Sequence, residues 1–232
     1  MESNEHTIKT DRRDFLGTLA TGAVAVGLGT LATPLQSIAH PNPPNDITSD
    51  DEWFKQIKGK HRVVFDVTQP HEVYPFAWPR VFLMTNEMTG TKAKDNSVVV
   101  VLRHTAIPYA MEDRLWSKYN FGTVFKADDP KTKTASVRNP FWKPMQGDFK
   151  VPGVGEVAIG INELQDSGVL FCVCNVALTV YSTAVAQGMN LDAAEVRADW
   201  MKGLLPGIKV VPSGVWALGR AQENGCGYIF AG

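Results

Sequence analysis

Five short runs rich in β-branched and aromatic residues, at 62–67, 97–102, 169–174, 209–211 and 228–230, alternate with segments whose apolar residues recur at helical spacing. A run such as Ser97-Val-Val-Val-Val-Leu102 has no polar side to turn toward water, so it suits a parallel strand covered on both faces. The segments between the runs supply the covers. Residues 78–88 put Val81, Met84, Thr85 and Met88 on one helical face, and 109–119, after Pro108, put Met111, Leu115 and Tyr119 four apart. Residues 154–164 group Val154, Val157, Ala158, Ile161 and Leu164 in the same way. Further helices are predicted over 175–187, stopped by Gly188, over about 192–202, where Asp192 and Glu195 have capping-box spacing, and over 215–223. Such alternation predicts an α/β chain folded as a three-layer sandwich around a mostly parallel sheet.

The N-terminus carries a separate message. Asp11-Arg12-Arg13-Asp14-Phe15-Leu16 precedes a weakly apolar run over 17–31, and a paired arginine before such a run is the form of a twin-arginine export signal. Gly17, Gly22, Gly27 and Gly29 dilute the run, which falls short of the ~20 residues a membrane span needs. A small-x-small site at Ser37-Ile38-Ala39 predicts cleavage after Ala39. The expectation is a signal peptide over 1–39, export of the folded chain to the periplasm by the twin-arginine machinery, and no stable membrane span after cleavage. A polar, proline-rich linker over 40–60 and a single domain over 61–232, with a long loop insertion at about 120–152, complete the predicted organisation.

Lysine and arginine total 23 against 24 acidic residues, and neither sign forms a long run. That balance argues against an electrostatic grip on nucleic acid or anionic lipid and points to a small-molecule or protein partner. Three cysteines are too few for a disulfide scaffold, and their odd number leaves at least one thiol free within a single chain. No dinucleotide-binding glycine fingerprint, phosphate loop, serine elbow or zinc-spaced ligand cluster occurs, so the residues name no cofactor and no metal site. Copper held by the amine and ring of His40 with His61 or His71 would rest on a linker interrupted by Pro41, Pro43 and Pro44, which disfavours it.

Sheets of this type bind ligands beyond the carboxyl ends of their strands. Those ends deliver Arg103-His104-Thr105 after 97–102, Asn175 after 169–174, and Pro212-Ser213-Gly214 after 209–211. Cys174 stands where a strand ends and a helix begins, and a thiolate there is stabilised by the helix dipole and by unpaired backbone N–H groups. His104 could take the thiol proton as a base, hold the thiolate as an imidazolium, or serve as a hydrogen-bonded structural residue. Asn175 and Ser213 could donate to a bound anion or cap the helices they precede, with Arg103 and Gly214 completing the candidate binding set. Cys172 shares a face with Cys174 if the strand continues, either as a second thiol or as a buried small hydrophobe. Cys226, between Gly225 and Gly227, either approaches the site or fills a turn.

The segments Gly168-Val-Leu-Phe-Cys-Val-Cys174-Asn175-Val-Ala177-Leu178 and Leu204-Leu-Pro-Gly-Ile-Lys-Val-Val-Pro-Ser213-Gly214-Val215 resemble the DsrE/DsrF-like family, whose members include sulfur-relay proteins. The resemblance runs from about residue 154 to the C-terminus, and more weakly over 98–107. It implies a flavodoxin-like sheet, a homo-oligomer and, in the sulfur-transfer members, a cysteine after the strand that accepts a persulfide. Cys174 matches that cysteine and His104 the family's loop histidine. Two features depart from the family's habit. Export would place the thiol in an oxidising compartment, and the 120–152 segment carries Phe121, Phe125, Phe141, Trp142 and Phe149 either as a functional lid or as a surface wrap pinned by its aromatics. Two functions follow as expectations. One is a persulfide carrier trading sulfur with a donor or acceptor protein or a small thiol. The other is a non-catalytic periplasmic module that grips a small ligand, metal or cofactor with His104 and the aromatic loop.

Overall fold

The structure, a computed structural model, describes residues 47–232; the export signal expected over 1–39 and the first part of the expected linker lie outside the described residues. Its strands are β1 (His61–Val67), β2 (Asn96–Leu102), β3 (Lys150–Val151), β4 (Gly155–Glu156), β5 (Leu170–Cys174), β6 (Ile208–Val211) and β7 (Gly227–Phe230). Its helices are α1 (Ile47–Phe54), α2 (Tyr74–Met88), α3 (Asp113–Lys118), α4 (Phe121–Val124), α5 (Ile161–Asp166), α6 (Asn175–Met189), α7 (Ala193–Lys202) and α8 (Gly214–Glu223). Among them, no helix is long and apolar enough to cross a membrane.

Five strands form one parallel sheet in the order β6-β5-β2-β1-β7, and β3 pairs with β4 in a separate small hairpin. From β1 through β2 and β5 to β6 the chain steps one way across the sheet, so right-handed crossovers put α2 to α7 on one face. The step from β6 to β7 runs back past β1, and its helix α8 therefore lies on the other face, against β1, β2 and β5. The result is the three-layer, flavodoxin-like sandwich that the alternation predicts.

Period-two alternation along the strands divides the core. Val63, Phe65, Val98, Val100, Phe171 and Val173 face the thick layer, where Phe76, Trp116, Phe141, Leu178 and Trp200 are buried. Val64, Val99, Val101 and Cys172 face the thin layer with Leu218, Ala221 and Phe54. Phe54 belongs to α1, so the linker expected over 40–60 ends in a helix that covers sheet. Two ion pairs fasten it, Lys209 Nζ to Asp50 at 2.8 Å and Arg220 Nε to Asp51 at 2.8 Å.

Two predicted helices form only in part. Over 109–119 the chain makes a 3-10 segment, His104–Ala110, followed by the short α3. The fully buried Asn139 donates from Nδ2 to the carbonyls of Tyr109 and Met111, both at 2.9 Å, and so takes acceptors that a helix would have used. Over 154–164 only α5 is helical. Gly153 and Gly155 adopt φ of +79° and +95°, which suits the β3–β4 hairpin, and Arg80 Nε takes the Ala158 carbonyl at 2.6 Å. Pro75 in the first turn of α2 extends that helix upstream of the predicted start at 78, despite Pro79 one turn further in. At the other end of the site, α6 runs past Gly188 and ends with Asn190 in the left-handed conformation.

The 120–152 segment is a wrap whose aromatics enter the thick layer. Phe121, Phe125 and Phe141 are buried, and Phe141 stacks on Phe149 with ring centroids 5.2 Å apart and lies 4.3 Å from Phe76. If these contacts hold the wrap to the sheet, Phe141→Ala should destabilise the protein by about 3–5 kcal/mol, as for a fully buried aromatic. Urea denaturation monitored by far-UV circular dichroism reads this directly, and a loss below about 1 kcal/mol would mark the segment as a surface loop.

On the far side of α7, Asp199 accepts from Arg114 Nη1 at 2.6 Å, Lys118 Nζ at 2.8 Å and Tyr119 Oη at 2.7 Å, joining α7 to α3. Burial works against its charge, but the hydrogen bonds from Lys118, Arg114 and Tyr119 hold the carboxyl well below the ordinary value. A carboxyl depressed in the folded state stabilises above its unfolded value and loses that contribution as pH falls through the folded one. Asp199→Asn should therefore be less stable than wild type at pH 7, and the gap should close as pH drops below about 4. Urea midpoints of both proteins across that range test the linkage.

Candidate functional site

The face of the crossover changes between β5, whose chain passes to α6 on the thick layer, and β6, whose chain passes to α8 on the thin one. Ligand crevices in parallel sheets open at such switches. Here Cys174 pairs with Val211 across β5 and β6, so the thiol and the Ser213-Gly214 turn leave neighbouring strands at the same level.

Cys174 ends β5 and caps α6: its Sγ accepts from the Ala177 N–H at 3.3 Å, with 7% of the residue exposed. The cap thus comes from sulfur, and Asn175 is the first helical residue rather than a cap. Asn175 is buried, and its Oδ1 accepts from Arg197 Nη2 of α7. Ser213 does cap α8, its Oγ accepting from the Trp216 N–H at 3.2 Å. Cys172 does not share the setting of Cys174. It lies in the thin layer, where burial pushes its thiol up, whereas Cys174 packs with the thick layer as the chain turns into α6. Cys226 also packs into the thin layer, beneath the turn at Gly225, and burial pushes its thiol up to about 11 against the opposing charge of Arg62. All three thiols are unpaired.

Arg103, just past the end of β2, closes the group. A Cβ on Gly214 would stand 2.6 Å from the Arg103 Cβ, so glycine at the start of α8 lets the arginine stem pass. Its guanidinium grips Asp66 of β1 with both prongs, Nε to Oδ1 at 2.6 Å and Nη2 to Oδ2 at 2.8 Å, and Tyr228 of β7 donates to Oδ2 at 2.8 Å. Hydrogen bonding to Asp66 raises the guanidinium above its ordinary value against the cost of burial, and the Cys174 sulfur adds a smaller electrostatic share. Arg103 is therefore a fixed cation within electrostatic reach of the thiol.

His104 stands apart from the arrangement expected of it. Arg103 N–H bonds the Val67 carbonyl at 3.0 Å and Thr105 N–H the Thr68 carbonyl at 3.0 Å, which straps the loop to the end of β1. Between these ties His104 takes φ +50°, and its exposed ring sits edge-on to Tyr181 of α6 at 5.6 Å. No hydrogen bond joins it to Cys174 among the described residues, so the neighbouring cation is Arg103 and the histidine marks the rim.

Of the sequence candidates, Cys174, Arg103, Ser213 and Gly214 gather at the switch point, Asn175 turns toward α7, and His104 points outward. Asp66 was not among them, although a lone carboxylate inside His61-Arg-Val-Val-Phe-Asp66-Val67 was a visible anomaly in a strand buried on both faces. Arg197 left no comparable mark in the polar pattern of α7. No group of three or more histidine, cysteine or acidic residues is placed to hold a metal among the described residues. His40, the other copper candidate, lies outside them. No protein-family model matches the chain, and no curated protein matches it.

Replacing Arg103 alone would leave Asp66 buried without its counter-charge, at a cost of about 3–5 kcal/mol; the paired change Asp66→Asn with Arg103→Gln avoids that. If the Arg103 cation assists attack by the sulfur, iodoacetamide labelling of Cys174 at neutral pH should slow severalfold in the paired variant. Peptide mapping separates Cys174 from Cys172 and Cys226, and an unchanged rate would remove Arg103 from the chemistry of the thiol.

Proposed function

We propose that this protein is an exported persulfide carrier of the DsrE/DsrF-like kind, acting through Cys174. The observation that carries the reading is the coincidence at Cys174 of a strand end, a sulfur-capped helix and the cation Arg103 at the switch point of the sheet. In the forward step the Cys174 thiolate attacks the terminal sulfur of a donor persulfide, R–S–S⁻. The donor S–S bond breaks, R–S⁻ leaves, and Cys174–S–S⁻ forms without net oxidation. Attack by an acceptor thiolate on the outer sulfur reverses these changes and regenerates the Cys174 thiolate. Arg103 offsets negative charge on sulfur at both stages, and the Ser213-Gly214 turn follows the strand that pairs with Cys174. The small opening at Cys174, with 7% of the residue exposed, suits a small sulfur donor better than a protein surface.

Export by the twin-arginine route, a periplasmic location and assembly as a homo-oligomer belong to the same proposal, and rest on the Arg12-Arg13 segment and the family resemblance. The alternative module, with an aromatic loop gripping a ligand, loses support from the burial of Phe121, Phe125 and Phe141 in the core.

Incubation of residues 40–232 with inorganic polysulfide, followed by intact mass under non-reducing conditions and peptide mapping, tests the proposal. One or more added sulfur atoms on Cys174 are expected, lost in Cys174→Ser and retained in Cys172→Ser. Sulfur on Cys172 or Cys226 alone, or on no cysteine, overturns it.

A further inference from the structure

Arg197 is the charged group in this neighbourhood that neither the fold nor the proposed chemistry uses. One prong of its guanidinium, Nη2, donates to the Asn175 side chain, while Nη1 lies out of solvent contact and finds no hydrogen-bond acceptor among the described residues. Burial lowers its affinity for the proton, and no acidic group offsets that effect. Three residues on, and so on the same surface of α7, Trp200 is wholly buried and its Nε1–H is also without an acceptor. Buried donors are normally satisfied, since an unpaired one costs about 1–3 kcal/mol and a charged one more. Of these two orphans, the Arg197 guanidinium carries an uncompensated charge and calls for an acceptor that is itself anionic. The position is also specific. Arg197 holds Asn175, the residue next to Cys174, so a group bound at the guanidinium lies beside the start of α6.

We infer that Arg197 is the docking site for the carboxylate of a small thiol or thiol persulfide that exchanges sulfur with Cys174. The inference rests on the carrier reading and names its substrate class: a low-molecular-weight thiol bearing a carboxylate, in place of a neutral or purely cationic one. Arg197 as a whole is only partly buried, so a small ligand can approach its guanidinium from the open side while Nη2 stays on Asn175. A carboxylate oxygen there replaces the missing acid partner. With the carboxylate fixed on α7, the sulfur of the bound molecule is directed toward the N-terminal end of α6, where Cys174 is the cap.

Calorimetric titration with S-methylcysteine and with its decarboxylated analogue, 2-(methylthio)ethylamine, tests the docking without any sulfur transfer. Wild type and Cys174→Ser should bind the carboxylate compound at least tenfold more tightly than the analogue. Arg197→Gln should lose that preference and Arg197→Lys should recover part of it, with unchanged circular dichroism in both. Equal affinity for the two compounds in wild type, no binding of either, or a preference that survives Arg197→Gln overturns the inference and leaves both donors to ordered water. Retention of the preference in a protein whose Cys174 takes up no sulfur from polysulfide would keep the carboxylate site and remove the carrier reading, so the two failures are distinguishable.

Discussion

A crossover between parallel strands turns right-handed, and that steric preference distributes everything else in this molecule. Three successive crossovers in one direction load one face of the sheet with α2 to α7, while the single return step leaves α8 to cover the other. The two layers are correspondingly unequal. One ten-residue helix cannot cover five strands, and α1 is drawn in beside it through Phe54 and the pairs of Asp50 and Asp51 with Lys209 and Arg220. The same arithmetic of direction opens a crevice between β5 and β6, because that is where neighbouring strands send their chains to opposite faces.

Across the sheet from the crevice, the buried carboxylate of Asp66 fixes the arginine nearest to it. A carboxylate with 1% exposure is tolerated only with charge and hydrogen bonds around it, and here it has a two-pronged guanidinium and a phenol. These partners come from β2 and β7, the two neighbours of β1, so the network ties three strands at their carboxyl ends. Holding Arg103 is its consequence for chemistry. The arginine cannot follow solvent or a distant acid, and Gly214 at the start of α8 leaves room for its stem. Burial of the thiol limits what can reach it, and the unpaired Nη1 of Arg197 is where the proposal seats a small anionic molecule.

The strands were legible almost to the residue, because a parallel strand buried on both faces must be apolar throughout and little else in a chain looks like 97–102. Helices were legible where apolar spacing coincided with free backbone acceptors, as in α6, α7 and α8. Residues 109–119 and 154–164 have the same spacing, and Leu115, Ile161 and Leu164 do reach the core. Their backbones diverge because Asn139 and Arg80, distant in sequence, claim the carbonyls of Tyr109, Met111 and Ala158. Spacing reports which side chains are buried, and it is silent about which carbonyls another segment will take. The aromatics of 120–152 were open between lid and wrap for a related reason, since a phenylalanine that seals a ligand and one that seals a core are identical in sequence.

The chain by itself determined the class of fold, the strand ends and the placement of Cys174 where a strand meets a helix, since these follow from local hydrophobicity and from turn and cap chemistry within a few residues. Only the tertiary structure decided which groups stand beside the thiol. Asp66, Arg103, Tyr228 and Gly214 come from four separate elements, His104 is turned outward by backbone ties to the neighbouring loop, and Arg197 meets Asn175 only because α7 packs back on α6. Charges act through space over a few ångströms, and distances of that order between residues far apart in the chain are set by packing, which no single segment encodes.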